Sequence, residues 1–228
     1  MKDNITLNII ARIRTDFPSK FGIPRQSGLI PSLKARIVFE PEYRDVSALR
    51  GLEGYSHLWL IWKFSESVCE QWQPTVRPPR LGGNTRVGVF ATRSPFRPNP
   101  IGLSSVKIEQ IIENTPDGCV IEVSGADLMD NTPIYDIKPY IPYTDSHSDA
   151  LGGFADNVFG NNIEVYFPLE LESKLPAEIL TPLKDILSND PRPAYQNDGR
   201  VYSFEFADYK IQFQVENEIL KVVSVEKN

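Results

Sequence analysis

The sequence predicts a mainly β protein, a barrel or sandwich followed by a small α+β unit. Three observations predict it. Short segments enriched in β-branched and aromatic residues recur with partial two-residue alternation. They are separated by connections rich in proline and glycine, as in barrels and sandwiches. The chain also lacks the alternating strand–helix rhythm that builds a doubly wound sheet.

Taken in order, residues 5–15 (ITLNIIARIRT) and 35–40 (ARIVFE) read as the first two strands. Residues 57–64 (HLWLIWKF) are aromatic and nearly continuous in apolar character, the pattern of a strand buried on both faces. Residues 85–91 (TRVGVFA), 104–113 (SSVKIEQIIE) and 119–124 (CVIEVS) follow. The turn-rich Asn114-Thr-Pro-Asp-Gly118 joins the last two as a hairpin. Asp130-Asn-Thr-Pro133 is a turn leading into another strand, whose alternate residues are Asp136, Lys138 and Tyr140. These elements fill a domain over residues 1–150, and an exposed connector follows near residues 145–162. A small α+β domain over residues 163–228 opens with a short strand at 163–167. In it, Thr181-Pro182 reads as a helix start, threonine as N-cap and proline at the first helical position. Leu183, Ile186 and Leu187 form the buried stripe and Asn189 ends the helix. Residues 201–206 and 210–215 alternate cleanly and pair as a hairpin, with 220–225 as a third strand.

Composition bounds what this fold can do. The 228 residues, 41% hydrophobic and 24% charged, have the balance of a globular protein. The longest apolar run, Leu58 to Trp62, is far short of the roughly 20 residues that span a bilayer. The N-terminal MKDNITLNII resembles neither a signal peptide nor an anchor, so a cytoplasmic protein without membrane partners is expected. Cys69 and Cys119 are fifty positions apart, no CxxC pair occurs, and the two histidines, His57 and His147, are distant. No metal site is expected.

The net charge of −6 hides an asymmetry. Residues 1–108 hold 16 Lys+Arg against 8 Asp+Glu, a net of +8; residues 109–228 hold 8 against 22, a net of −14. Between Gln71 and Ile108 stand Arg77, Arg80, Arg86, Arg93, Arg97 and Lys107 without one acid, together with six prolines from Pro74 to Pro100. Proline fixes φ and removes a donor, so this is stiff loop that holds arginines in place without the entropic cost of ordering them. A basic face on an acidic protein suits an anionic ligand.

Nucleotide-binding signatures are absent: Gly82-Gly83 and Gly88 make no GxGxxG, and there is no GxxxxGK[ST] loop. Four segments are dense in residues that rarely cluster for folding reasons. They are Phe21-Gly-Ile-Pro-Arg25-Gln26-Ser-Gly28, Arg77-Pro-Pro-Arg80-Leu-Gly-Gly83, residues 90–104 (FATRSPFRPNPIGLS) and residues 127–142 (DLMDNTPIYDIKPYIP). The third packs two arginines, three prolines and two aromatics into fifteen residues.

ATRSPFRPNPIGLS, with PRQ, GLEGYSHLWLI, PTVRPPRLGGN and DIKPYIPYTD, resembles the TsaA-like domain of TrmO-type methyltransferases in order and approximate spacing. Asp190-Pro-Arg192-Pro-Ala-Tyr195 resembles the motif of the small C-terminal domain of the bacterial members. The resemblance implies a TsaA-like β-barrel outside the Rossmann class, acting as a homodimer. It implies transfer of methyl from S-adenosylmethionine to the exocyclic nitrogen of threonylcarbamoyladenosine beside the anticodon of threonine-type tRNAs. By similarity the donor would contact Pro24, Arg25, Gln26, Ser65, Glu66, Arg93, Leu103, Asp130, Asn131, Thr132 and Pro133.

The residue types suit that donor. A guanidinium at Arg25 or Arg93 matches its carboxylate, and an acid at Glu66 or Asp130 matches its ammonium. Asp136 and Tyr140, on a strand expected to face the site, are the candidate bases for the acceptor nitrogen. Arg77, Arg80, Arg97, Asn99 and Lys138 are expected to hold the anticodon loop, with Arg192 and Tyr195 reaching substrate or the partner subunit. The residues alone also accommodate a barrel that binds the donor or RNA without chemistry, or a methyltransferase with a small-molecule acceptor.

Overall fold

A computed structural model describes residues 5–67, 71–81, 84–158, 162–192 and 199–228, apart from the side chains of Arg80, Asn157 and Val158. Six strands close into an all-antiparallel barrel: β1 (Ala11–Arg14), β2 (Lys34–Phe39), β3 (His57–Lys63), β6 (Ile101–Thr115), β7 (Gly118–Ser124) and β8 (Pro133–Pro139). Their order is β1-β2-β7-β6-β3-β8, and pairing of Ala11 with Ile134 closes the ring. Alternate residues fill the interior, among them Ile13, Ile37, Leu58, Leu60, Val106, Ile121 and Ile134, so the barrel is a packed core and not a channel. Closure leaves no free sheet edge to aggregate.

Several expected strands differ in extent. Segment 5–15 forms a strand only over Ala11–Arg14, paired with Arg36–Phe39 of β2 and, at Ala11 and Arg12, with the start of β8. β3 is not buried on both faces: Leu58, Leu60 and Trp62 point inward while His57, Trp59, Ile61 and Lys63 form the half-buried outer face. Segment 85–91 gives only β5 (Val87–Gly88), paired with β4 (Thr75–Val76) in a ribbon, then a 3₁₀ turn over Val89–Ala91. The expected β6–β7 hairpin is present, turning at Pro116-Asp117 with Gly118 at φ 85°.

The second sheet runs β10 (Tyr202–Phe206), β11 (Tyr209–Glu216), β12 (Ile219–Lys227) and β9 (Glu164–Tyr166), with β9 parallel to β12. Three helices complete the chain: α1 (Pro142–Asp145), α2 (Leu169–Glu172) and α3 (Ala177–Ser188). The helix expected to begin at Thr181-Pro182 begins a turn earlier, so Pro182 lies inside α3. Ile179, Leu180, Leu183, Ile186 and Leu187 recur at helical spacing and pack on the sheet. Their burial outweighs the one missing N–H and the ring's clash with the preceding turn. Asn189 caps the C-terminus as expected, and its side-chain amide donates to the Asp185 carbonyl at 2.9 Å.

The β1–β2 connection ties the two units together. Phe17, Ile30 and Leu33 are buried in the core of the second sheet, where Phe17 meets Phe206 at 5.2 Å. A turn about Asp190-Pro191-Arg192 returns against the same connection. Among the described residues no helix is long and apolar enough to cross a membrane.

Candidate active site at one end of the barrel

Five connections meet at one end of the barrel: Lys20–Gln26, Phe64–Ser67, Thr92–Arg97, the start of β6, and Asp127–Thr132. They enclose a cleft of about 450 Å³, within the range of small-molecule sites. Ile23, Pro24, Trp62, Phe64, Leu103, Leu128 and Met129 give it apolar walls; Arg25, Arg93, Glu66 and Asp127 supply charge.

The floor is built by close backbone approach. Gly102 of β6 lies opposite Trp62 of β3, and a Cβ at Gly102 would overlap the indole ring. Absence of that Cβ lets the indole approach β6 closely, with the Phe64 ring tilted against it at 59° and 4.3 Å between centroids. The indole Nε1 donates to the Ser104 hydroxyl at 3.0 Å, and that hydroxyl donates to Asp127 Oδ1 at 2.6 Å. Burial pushes the Asp127 carboxyl above the usual range; the Ser104 hydroxyl, backbone N–H groups and the nearby Arg93 charge oppose the rise. Asp127 is thus a carboxylate held by a fixed relay and directed into an apolar cleft. The sequence reading missed it. Its signal was an acid placed directly after the buried β7 segment, within the quoted DLMDNTP stretch.

Eight of the eleven expected donor contacts line the cleft: Pro24, Arg25, Gln26, Ser65, Glu66, Arg93, Leu103 and Thr132. The structure also shows what fixes them. Arg25 donates to the carbonyls of Asp190 and Arg192, Arg93 donates to the Gln26 side-chain oxygen, and Lys20 grips the Glu66 carbonyl and the Ser67 hydroxyl. Asp130, Asn131 and Pro133 do not line it. Asp130 accepts from the Thr15 N–H at 3.0 Å and pairs with Arg14 at 3.4 Å. Asn131 takes the left-handed conformation at φ 63°, and its N–H donates to the Ile13 carbonyl at 2.8 Å. This turn docks on β1, and of its residues only Thr132 lines the cleft.

The residues expected to act as bases lie elsewhere in the chain. Asp136 is paired with Lys138 at 3.1 Å on the outer barrel face, opposite Ile61. Tyr140 packs there against His57 and Trp59. None of Asp136, Lys138 and Tyr140 lines the cleft: Asp136 and Lys138 stand opposite Ile61 and Trp59, the outward-facing residues of β3, and opposed residues share a sheet face.

A second cavity of about 780 Å³ adjoins the first and shares Gln26, Thr92, Arg93 and Pro95 with it. Arg77 lines it, as do Arg86, Phe96 and Phe154, which were not expected. Arg97 serves its own loop: its Nη1 donates to the Thr92 carbonyl at 2.6 Å and the Val89 carbonyl at 3.3 Å, with the guanidinium over Phe90. Asn99 sits on the neighbouring loop outside both cavities. Arg192 forms a two-point pair with Asp190, each contact 2.8 Å, its side chain is 11% exposed, and it builds the turn that holds Arg25. The Arg80 side chain and Tyr195 lie outside the described residues.

The chain resembles known proteins over nearly its whole length. The family model described as the tRNA-methyltransferase O N-terminal domain matches residues 12–146, and that of the TrmO C-terminal domain matches residues 161–228. The chain is 38% identical over 226 residues to a tRNA (adenine(37)-N6)-methyltransferase of Escherichia coli, covering 95% of this chain and 96% of the relative. It is 37% identical over 226 residues to a Pseudomonas aeruginosa protein named putative S-adenosylmethionine-dependent methyltransferase RcsF, covering 95% of each. A crystal structure of TrmO from Pseudomonas aeruginosa superposes with a TM-score of 0.79 at 31% identity, covering 100% of this chain and 99% of that one.

Proposed function

Because the chain belongs to the tRNA-methyltransferase O family, we propose that it transfers methyl from S-adenosylmethionine to the N6 of adenosine 37 in tRNA, where that nitrogen carries a threonylcarbamoyl group. The observation that carries the reading is the cleft itself: an apolar chamber with one half-buried carboxylate in a hydrogen-bond relay, Asp127, and two anchored guanidiniums, Arg25 and Arg93. That charge set suits the ammonium and carboxylate of an amino-acid tail, and the apolar walls suit an adenosine. The electron-rich faces of Trp62 and Phe64 suit a sulfonium. When bound, the donor supplies an activated methyl on sulfur; the chain's own work is to orient it and exclude water.

In this reading Asp127 takes the role expected of Asp130 and meets the ammonium, while Arg93 and Arg25 meet the carboxylate. Asp127 lines the donor cleft and not the second cavity, which favours donor binding over removal of the acceptor's proton. Pro24, Gln26, Ser65, Glu66, Leu103 and Thr132 complete the donor's walls. Arg77, in the second cavity, faces the anticodon loop. Asp136 and Tyr140 reach an active site only through a second copy of the chain. We propose a homodimer for that reason, supported by the exposed Phe90 and Leu103 on the same end of the barrel, and a cytoplasmic location where its tRNA resides.

The test is transfer of labelled methyl from S-adenosylmethionine to tRNA with threonylcarbamoyladenosine at position 37, beside the same tRNA without that group. Label on the modified tRNA, located by nucleoside mass spectrometry at N6, is the expected outcome. Protein that binds the donor yet labels neither RNA would contradict the reading.

A further inference from the structure

The second cavity differs from the donor cleft in one chemical respect. The cleft mixes acids and bases, with Glu66 and Asp127 facing Lys20, Lys63 and three arginines. The second cavity has three arginines, Arg77, Arg86 and Arg93, and no acid among its described walls. Two phenylalanines, Phe96 and Phe154, and three glutamines complete the polar–aromatic lining. Two of the three guanidiniums are held in place: Arg86 Nη1 donates to the Thr75 hydroxyl at 2.9 Å, and Arg93 Nη1 donates to the Gln26 side-chain oxygen. The prolines Pro78, Pro79 and Pro95 stiffen the walls between them.

A cavity that shares Gln26, Thr92, Arg93 and Pro95 with the donor cleft stands where a methyl acceptor must stand. Arginines around one hollow suit an anion, and a compact anion carried on the base is one that the hollow can enclose. Guanidinium forks suit a carboxylate, and aromatic side chains suit a purine face. We propose that this cavity seats the acceptor base, and that Arg77 and Arg86 hold the carboxylate at the end of its N6 substituent. The inference rests on the reading of the chain as a threonylcarbamoyladenosine methyltransferase and adds the residues that make the carboxylate a requirement.

Neither arginine is a wall of the donor cleft, so their effect separates from donor binding. The experiment compares two anticodon stem-loops of identical sequence, one with the natural carboxylate and one with it converted to a carboxamide. Phosphate charge is the same in both, which removes the general electrostatic attraction from the comparison. Affinity is measured with the intact protein in the presence of S-adenosylhomocysteine, so turnover is not needed, and single-turnover methylation is measured separately. Wild-type protein is expected to bind the carboxylate form at least about tenfold tighter. The Arg77→Gln/Arg86→Gln variant is expected to bind both forms alike, with unchanged S-adenosylhomocysteine affinity. Equal binding of the two loops by wild type, or a preference that survives in the variant, would overturn the proposal. A preference that the variant abolishes, without methyl transfer by the wild type, would support the pocket assignment and sink the reading of the reaction instead.

Discussion

Asp127 and Asp136 are nine positions apart, one in the connection before barrel strand β8 and one within that strand, yet their surroundings are opposite. Asp127 is half-buried at the foot of the cleft, held by Ser104 and through it by Trp62, with its carboxyl pushed above the ordinary range by lost hydration. Asp136 is half exposed on the outer wall and leans on Lys138. A screened ion pair of that kind contributes little, about 0–1 kcal/mol. A carboxylate desolvated in a fixed hydrogen-bond relay is ready to meet a cation, whereas one in water must first surrender its hydration. The difference teaches that place in the fold, a connection at the cleft for Asp127 and an outward strand face for Asp136, decides which acid serves the site, and not the local density of polar residues.

The largest expected effect falls on the inner acid. Asp127→Asn keeps the shape and removes the charge, and should weaken donor binding by about 30-fold to 1,000-fold, the range for losing one partner of a buried charge pair. Calorimetric titration with S-adenosylmethionine measures it.

The pH dependence sharpens the same contrast. A raised pKa means that Asp127 loses its charge while pH is still above the usual aspartate value of about 3.9. Donor affinity should therefore fall as pH is lowered, beginning above that value, and the fall should be absent in Asp127→Asn. A profile flat to pH 4 in the wild type would contradict this.

Gly102→Ala addresses the relay rather than the charge. Its Cβ would displace the Trp62 indole and, through Ser104, the Asp127 carboxyl. Overpacking of this kind costs about 1–3 kcal/mol, visible as a lowered melting temperature together with weaker donor binding. A variant that melts normally and binds normally would show that the floor is not built as described.

The smallest effect is expected outside. Asp136→Asn and Tyr140→Phe should leave donor affinity within about twofold, since neither side chain lines the cleft and an exposed pair contributes little. A larger change would place the outer face in the donor site of a partner subunit.

These two acids also mark how far the sequence was readable. The alternation of 201–206 and 210–215 found the hairpin of the second sheet, because a half-buried strand writes its two faces into a period of two. The barrel was legible as short strands between stiff loops, and PRQ, Arg93 and Thr132 reached the cleft as expected. Asp127 and Asp130 were not separable: they are three residues apart in one polar stretch. The left-handed residue that turns Asp130 toward Thr15 is an asparagine, whose conformation no periodicity records. The helix start was misplaced for a related reason, since Thr-Pro is a local signal and the stripe from Ile179 to Leu187 is a tertiary one. Arg97 and Arg192 read as free cations, yet each closes its own loop through carbonyl or carboxylate partners that only the fold brings near.

The most direct test of the account is donor affinity measured side by side for wild type, Asp127→Asn and Asp136→Asn under one buffer condition. Loss in Asp127→Asn with a wild-type value in Asp136→Asn is the result predicted. Equal affinities in wild type and Asp127→Asn, or loss confined to Asp136→Asn, would contradict the assignment of the cleft and its half-buried acid to the methyl donor.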